Sequence, residues 1–266
     1  MHLTRLRLTV QEKKMVWKIS DETAFDTLGD EVRLTINGVT IRAPQNQSLL
    51  VTARQNGFEI PTLCYHRDLP SEGQCRMCVV EIGEYPHTQI VNSCTYPTQA
   101  GLVVQTHSEK VVQSRRIVLE LLLARTPKAK VVQDLAAAHG IYESRFKTDD
   151  PEELCILCGL CVRTCREVVG VSAISMKGRT PDKQVATPFM EKSSACIGCG
   201  SCAFICPTGV IPYTEKDGIR TIWGRDFELQ PCNVCGNYIA PKYQLEHWAK
   251  LTGDPVETFF VCKDCR

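Results

Sequence analysis

An alternation of apolar and polar residues begins at residue 32 and predicts a β-hairpin. Val32, Leu34 and Ile36 alternate with polar residues, and the same period of two resumes at Val39 and Ile41. An Asn-Gly pair stands between the two segments, and it is the strongest short signal for a hairpin turn. The preceding residues 1–31 are charged and lack a clear period, so we expect them to form an N-terminal extension.

The residues after the hairpin predict the rest of a small α+β domain. Ser48 is placed to cap a helix over residues 49–56, and Gly57 is placed to end it. Apolar residues within 79–82 and 102–105 predict further strands. A hairpin followed by a helix favours a β-grasp fold, which we expect to occupy residues 32–107.

The next segment, 108–150, predicts a helical spacer. Its first helix, over 108–125, has charged residues between its apolar positions and is ended by Pro127. The apolar positions of this predicted amphipathic helix are Val111, Val112, Ile117, Val118, Leu121 and Leu122. A second helix is predicted over 129–139, with Gly140 as its end.

The cysteine content says more about the function of the chain than the net charge does. The chain has 266 residues, 16 of them cysteine, and a formal net charge of +1. The balanced charge gives no reason to expect nucleic acid as a partner. We find no secretory signal and no apolar run long enough to span a membrane, so we expect a cytoplasmic protein. Thiols stay reduced there, and CxxC spacing then indicates metal binding rather than disulfides.

The central cysteines form two copies of one motif, CxxCxxCxxxC, within a predicted domain over 151–223. This doubled run is the ligand pattern of proteins that hold two [4Fe–4S] clusters, in which the fourth cysteine of each run binds the other cluster. We call the first predicted ligand set site A: Cys155, Cys158, Cys161 and Cys206. The second set is site B: Cys196, Cys199, Cys202 and Cys165. Two zinc knuckles are the alternative, but they would not explain the third and fourth cysteines of each run.

An earlier group of cysteines predicts a [2Fe–2S] cluster. We call it the ferredoxin site: Cys64, Cys75, Cys78 and Cys94. A loop that supplies three thiolates, with a distant fourth, resembles plant-type ferredoxin spacing, although the first gap here is longer. A zinc site is the alternative, but zinc knuckles usually pair one CxxC with another.

The final segment, 224–266, carries what we call the tail site: Cys232, Cys235, Cys262 and Cys265. Two CxxC pairs are typical of a zinc ribbon, so we favour one structural zinc ion. A third [4Fe–4S] cluster also takes four thiolates, and spacing alone leaves both open.

Residues 60–66 and 73–81 resemble the N-terminal ferredoxin domain of a known group of redox proteins. The group includes the large electron-input subunit of respiratory complex I, iron-only hydrogenases, NAD-linked formate dehydrogenases and the small iron–sulfur subunit of NAD-linked hydrogenases, some of them electron-bifurcating. Residues 155–174, 185–189 and 196–202 are similar to the iron-only hydrogenase and formate dehydrogenase branch. Members of the group usually carry a further cluster with one histidine and three cysteines between these domains. Residues 108–150 contain His139 but no cysteine, so we expect that cluster to be absent.

The resemblance implies a non-catalytic, separate relay subunit, since no Rossmann glycine motif and no catalytic domain are evident. Its expected cofactors are one [2Fe–2S], two [4Fe–4S] and one zinc. Its expected partners are a flavin/NAD(H)-binding subunit and a catalytic subunit of the nickel–iron hydrogenase type, with electron bifurcation left open. The alternatives are a formate or aldehyde dehydrogenase complex, or a non-catalytic iron–sulfur redox sensor or adaptor.

Overall fold

The structure is a computed structural model that describes residues 31–179 and 182–266. The predicted N-terminal extension, apart from Glu31, lies outside these residues. None of the helices in the described part is both long and apolar enough to cross a lipid bilayer.

The first part of the chain folds into a five-stranded mixed sheet with one helix packed on it. Its elements are β1 (Glu31–Ile36), β2 (Val39–Pro44), α1 (Leu49–Gln55), β3 (Val79–Glu84), β4 (His87–Asn92) and β5 (Val103–Gln105). The strand order is β2-β1-β5-β3-β4, and only β1 and β5 run parallel. This order, with α1 packed in the core of the sheet, is a β-grasp arrangement.

The predicted hairpin is confirmed in detail, while the predicted helix cap is wrong. Asn37 and Gly38 both have positive φ, at 51° and 82°, as a tight hairpin turn of the primed type requires. Ser48 makes no side-chain hydrogen bond to the start of α1. Its hydroxyl instead donates to the carbonyls of Ser93 and Cys94, because the last cysteine of the ferredoxin site packs against this end of the helix.

The spacer helices form as predicted, but the first buries a different face. They are α2 (Glu109–Arg125) and α3 (Lys130–Ala138). Three predicted core positions, Val112, Ile117 and Leu121, are exposed. Arg115 and Glu120, which the pattern assigns to solvent, are buried. Both have polar partners. Arg115 donates to the Val79 carbonyl, and Glu120 accepts from Arg116 and forms an ion pair with Arg145, two arginines whose side chains are exposed.

The doubled cysteine run folds as two similar halves. Each half has a one-turn helix, α4 (Leu160–Arg163) and α5 (Ser201–Phe204). Each helix is preceded by a glycine with φ of 76°, Gly159 and Gly200, which a residue with a side chain rarely adopts. Between the halves lie a π-helical turn (Thr164–Val168), the paired strands β6 (Ser175–Lys177) and β7 (Gln184–Ala186), and a 3-10 turn (Pro188–Met190).

The C-terminal part is a second antiparallel sheet followed by a helix. Its strands are β8 (Tyr213–Lys216), β9 (Ile219–Ile222), β10 (Arg225–Pro231) and β11 (Tyr238–Pro241), in the order β11-β10-β9-β8. Helix α6 (Lys242–Thr252) and a 3-10 turn (Val256–Phe260) complete the chain. The expected boundary between residues 223 and 224 therefore lies in a turn between two paired strands of one sheet.

A single hydrophobic core joins the ferredoxin part to the doubled run. It contains Met77 from the cysteine loop, Leu119 from α2, Val132 from α3 and Leu160 from α4, all buried. Burial of apolar surface in one continuous cluster is what fixes two units at a constant separation. The cysteines Cys64 and Cys158 belong to this same core.

Arg163 reinforces this junction from the side of α4. Its side chain is 2% exposed, and its guanidinium donates to the Cys64 carbonyl at 2.6 Å and to the Pro70 carbonyl. The Glu72 carboxylate lies 3.6 Å from its Nε atom. Hydrogen bonds to a charged donor in a dry interior are among the stronger ones, so Arg163 ties the two cysteine loops together.

We predict that Leu119→Ala destabilises the cluster-loaded protein by about 2–5 kcal/mol, because a fully buried leucine leaves a cavity. Ile117→Ala, two residues away on the same helix and 43% exposed, should change stability by less than about 0.5 kcal/mol. The measurement is the urea concentration at the midpoint of unfolding under anaerobic conditions, with unfolding monitored by circular dichroism. Equal effects of the two substitutions would contradict the orientation of α2 in the core.

Candidate metal centres

The four cysteines of the ferredoxin site come together as two pairs. Cys78 and Cys94 have their Sγ atoms 3.3 Å apart. Cys64 and Cys75 form the second pair, and the Cys75 backbone N–H donates to Cys64 Sγ at 3.3 Å. Three of the four are buried and Cys75 is half-buried. Two pairs of thiolates side by side are the arrangement that two bridged iron atoms require.

The thiol pKa values at the ferredoxin site show the same pairing. A side-chain hydrogen bond with Cys64 lowers the pKa of Cys75 to about 6, and the same bond raises that of Cys64. A side-chain hydrogen bond with Cys94 lowers the pKa of Cys78 to about 7, and that of Cys94 is raised in turn. Each pair therefore contains one thiol that is readily deprotonated, and the thiolate is the form that binds metal.

A buried cation stands beside this site. Arg115 is 2% exposed and donates to the Val79 carbonyl at 2.8 Å, one residue beyond Cys78. Burial lowers its pKa to about 10, and the charge of Cys78 acts in the opposite direction. No ion pair joins Arg115 to a carboxylate in residues 31–179 and 182–266. A buried charge is costly unless it is compensated, and thiolates at the ferredoxin site supply the nearest negative charge.

The cysteines of site A gather where the two halves of the doubled run meet. Burial raises the pKa of Cys155, that of Cys158 to about 11 and that of Cys161 to about 12. The charge of Cys206 raises the pKa of each of these three further. Cys206 also packs against the core that contains Cys161, which agrees with the crossed ligand set, and that set stays a prediction.

The cysteines of site B line one small cavity. Cys165, from the first half, lies in its wall with three cysteines of the second half: Cys196, Cys199 and Cys202. Burial raises the pKa of Cys165, Cys196 and Cys202, the last to about 12, and the charge of Cys199 raises each of them further. The Ala173 backbone N–H donates to Cys165 Sγ at 3.2 Å.

Both sites fit a [4Fe–4S] cluster by their chemistry. Four convergent thiols line each one, and for site B the rest of the wall is mostly apolar. A bound metal ion would favour the thiolate form at both sites, because a cation in a dry site offsets the cost of the buried negative charge.

Packing inside the fold connects the ferredoxin site, site A and site B. Cys64 of the ferredoxin site and Cys158 of site A lie in one hydrophobic core, and Cys75 packs against it. Cys161 of site A shares a second core with Cys165 and Cys202 of site B. Site A therefore shares one core with the ferredoxin site and another with site B.

The tail site is far more compact. The Sγ atoms of its four cysteines all lie within 4.8 Å of one another, and those of Cys235 and Cys262 are 3.7 Å apart. Within the described ranges, 31–179 and 182–266, no other group of three or more potential ligands is this tight. Backbone hydrogen bonds from Cys262, Cys235 and Val234 lower the pKa of Cys232 to about 6. Such N–H···S contacts favour the thiolate, which is the form that binds metal.

Several residues near these sites carry no signal in the sequence. Arg115 and Arg163 occupy positions that a helical pattern assigns to solvent. Trp223 lies outside every cysteine motif, yet its indole Nε1 donates to Cys202 Sγ at 3.4 Å. These residues meet the cysteines only through tertiary packing, so spacing along the chain could not reveal them.

Comparison with known proteins matches two parts of the chain to iron–sulfur domains. Residues 29–109 match a family described as a 2Fe-2S iron-sulfur cluster binding domain. Residues 154–210 match a family described as a 4Fe-4S dicluster domain.

Similar full-length proteins come from respiratory and hydrogen-metabolising complexes. The chain is 31% identical over 214 residues to the mitochondrial 78 kDa subunit of NADH-ubiquinone oxidoreductase from Neurospora crassa, covering 70% of this chain and 28% of that protein. It is 31% identical over 212 residues to NADP-reducing hydrogenase subunit HndD of Solidesulfovibrio fructosivorans, covering 68% and 36%. The chain thus spans about a third of the length of these curated relatives.

A solved structure is similar over most of its own length. It is a chain of an NAD+-reducing [NiFe]-hydrogenase in the H2-reduced state, with a TM-score of 0.58 and 31% sequence identity. The match covers 67% of this chain and 85% of that one.

We predict that Gly198→Ala reduces iron binding at site B, with a loss of up to about four irons per chain. A Cβ atom at this position would lie 2.6 Å from the Phe227 ring, so the loop that carries Cys196 and Cys199 must shift. Gly209→Ala is the control, because its φ of +66° is close to the +70° of Gly198 but a Cβ there meets nothing within 4 Å. Iron analysis of both variants is the measurement. Equal iron contents would show that the contact with Phe227 does not constrain the site.

Proposed function

This chain belongs to a family of iron–sulfur electron-transfer subunits with relatives in NADH-ubiquinone oxidoreductase and NAD+-reducing [NiFe]-hydrogenase. We propose that it is the electron relay of a multi-subunit oxidoreductase. In this role it passes single electrons between a flavin/NAD(H)-binding subunit and a catalytic subunit of the nickel–iron hydrogenase type.

The observation that carries the proposal is that the three cysteine sites are joined by shared hydrophobic cores. Cys64 of the ferredoxin site and Cys158 of site A are buried in one core, and Cys161 of site A and Cys202 of site B are buried in the next. A sensor needs one exposed, reactive group, whereas a relay needs several groups in close series. The shared core around α2 keeps the first two sites at a fixed separation.

We assign the ferredoxin site to one [2Fe–2S] cluster, with Cys64 and Cys75 on one iron and Cys78 and Cys94 on the other. We assign sites A and B to one [4Fe–4S] cluster each, with the crossed ligands Cys206 and Cys165. When bound, clusters of both kinds accept and release one electron at a time. The residues of the chain hold them apart from water, since most of the ligand cysteines are buried.

In this proposal, buried arginines and backbone N–H donors stabilise the ligand thiolates and tune the reduction potentials of the clusters. Arg115 and Arg163 place positive charge beside the ferredoxin site, and this charge stabilises the thiolates there. Backbone N–H groups such as that of Ala173 donate to ligand sulfurs. Donors of this kind help to set the reduction potential of a bound cluster.

We assign the tail site to one zinc ion. Four thiolates around a tetrahedral zinc, with Zn–S bonds of about 2.3 Å, have their sulfurs about 3.8 Å apart. The 3.7 Å between Cys235 and Cys262 agrees with this value, as does the 4.8 Å limit for the whole group. A four-iron cluster binds each thiolate at a different corner, which requires a wider set of sulfurs. The tail is therefore a structural element rather than a fourth electron carrier.

The orientation of the relay follows from the resemblance. The ferredoxin site would face the flavin/NAD(H) subunit, and site B would face the catalytic subunit. A formate or aldehyde dehydrogenase as the catalytic partner is the second candidate, because the same relay serves any two-electron substrate oxidised at a remote site.

Metal analysis of the anaerobically purified chain tests the cofactor assignment. We predict about ten irons and one zinc per chain, from one [2Fe–2S], two [4Fe–4S] and a mononuclear site. About fourteen irons without zinc would mean that the tail holds a third [4Fe–4S] cluster. About eleven irons without zinc would indicate a single iron ion in the tail.

The relay itself is tested with Cys199→Ser in the complex that co-purifies with the chain. Loss of this thiolate should remove or alter the cluster at site B and reduce NAD-linked turnover by at least about tenfold, because the relay is interrupted. Ser194→Ala, an exposed position in the same loop, serves as the control and should keep full turnover. Full NAD-linked turnover with Cys199→Ser would refute the relay, and co-purification without any flavin-containing chain would refute the proposed donor.

A further inference from the structure

The C-terminal sheet presents a tryptophan to site B. Trp223 lies in the turn between β9 and β10, and its ring lines the same cavity as the four cysteines. Its indole Nε1 donates to Cys202 Sγ at 3.4 Å. An indole N–H is a donor only, so the sulfur must be the acceptor in this contact.

Trp223 is held in an unusual backbone conformation. Its φ is 52°, in the left-handed region that bulky residues rarely occupy. Such strain persists only where the surrounding structure imposes it. Here the turn is fixed by the pairing of Ile222 with Arg225 on either side of it.

Neighbouring side chains of the same sheet contact the loop that carries three of the four cysteines of site B. Arg220 donates to the Gly198 carbonyl at 2.8 Å, and Arg225 donates to the Cys196 carbonyl at 2.8 Å. The Phe227 ring packs directly on Gly198. The loop and Trp223 are therefore placed relative to each other by one set of contacts.

The tail helix contacts the segment that carries the fourth ligand. His247 on α6 makes a hydrogen bond to the Val169 carbonyl at 2.7 Å. Val169 directly follows the π-helical turn that contains Cys165. Residues beyond β8 thus touch both segments that form site B.

The two halves of the doubled run differ at this point. Cys161 and Cys202 are the third cysteines of their respective runs. Cys202 accepts the indole N–H. In the described part of the chain, no side-chain donor reaches the sulfur of Cys161. The tryptophan therefore distinguishes site B from site A, although the cysteine motifs are the same.

We propose that Trp223 is a positioning residue that raises the reduction potential of the cluster at site B, and that the C-terminal sheet is the scaffold that holds it there. The inference rests on the proposed function, because it requires a [4Fe–4S] cluster at site B. A hydrogen bond to a ligand sulfur favours the more negative, reduced state of a cluster, so it raises the potential.

The test compares Trp223→Phe with the wild type in the full, cluster-loaded chain. Phenylalanine keeps an aromatic ring but has no donor. We expect unchanged iron content and a more negative midpoint potential for one [4Fe–4S] signal in a redox titration followed by electron paramagnetic resonance. The control is Trp248→Phe, whose ring packs on Phe259 in the tail, and it should leave every midpoint potential unchanged.

A spectroscopic readout keeps the test decisive if Trp223→Phe loses its cluster. In protein whose tryptophan indole rings are labelled with 15N, pulsed electron paramagnetic resonance of the reduced wild type should show coupling of one indole nitrogen to one [4Fe–4S] cluster. Trp248→Phe should keep this coupling. Its absence in the wild type, or unchanged midpoint potentials in a fully loaded Trp223→Phe protein, would overturn the inference and leave the relay intact. A wild type with fewer than two [4Fe–4S] clusters would instead overturn the proposed function.

Discussion

The organisation of this protein depends on one hydrophobic core that two cysteine-bearing units share. Met77 comes from the ferredoxin loop, Leu119 from the first spacer helix and Leu160 from the doubled run, and all three are buried together. Without this core, the β-grasp sheet and the doubled run would be joined only by the spacer and by the contacts of Arg163. With it, Cys64 and Cys158 are buried in the same cluster. Electron transfer between two sites requires such a fixed, short separation.

Buried positive charge is the second constraint, and it follows from the first. Packing the loops together takes thiolates out of water, where their charge is costly. Arg115 and Arg163 are buried next to the ferredoxin site and donate to backbone carbonyls of the cysteine loops. Thiolates would compensate the charge of Arg115, whereas Arg163 also lies 3.6 Å from the Glu72 carboxylate. Leaving either partner alone in this interior would be strongly destabilising.

Much of the fold and the grouping of the cysteines could be predicted from the sequence, because they depend on local spacing. The hairpin turn at Asn37 and Gly38 formed as the Asn-Gly pair predicts. Short spacings of two residues bring cysteines to one loop whatever the rest of the chain does. The motif as a whole also predicts that Cys165 and Cys206 cross between the halves, and Cys165 lines one cavity with the cysteines of the second half. Which cysteine binds which cluster stays a prediction.

The rest could not be predicted because it is decided by tertiary contacts. The face of α2 that enters the core contains Arg115 and Glu120, and a pattern of hydrophobic residues cannot anticipate the polar partners that each of them has in the folded chain. Ser48 has the residue type of a helix cap but bonds across to Ser93 instead. Trp223 approaches Cys202 from a hairpin turn 21 residues further along the chain. Spacing gives ligand sets, whereas three-dimensional packing gives the surroundings that tune them.

The central claim, that the three sites form one continuous path inside the chain, is most directly tested by electron injection into the isolated, cluster-loaded protein. Rapid photoreduction followed by freeze-quenched electron paramagnetic resonance would record how [2Fe–2S] and [4Fe–4S] signals exchange with time. We predict a first-order exchange whose rate is independent of protein concentration. An exchange rate that rises in proportion to protein concentration would show that electrons pass only between molecules, and it would contradict a path inside the chain.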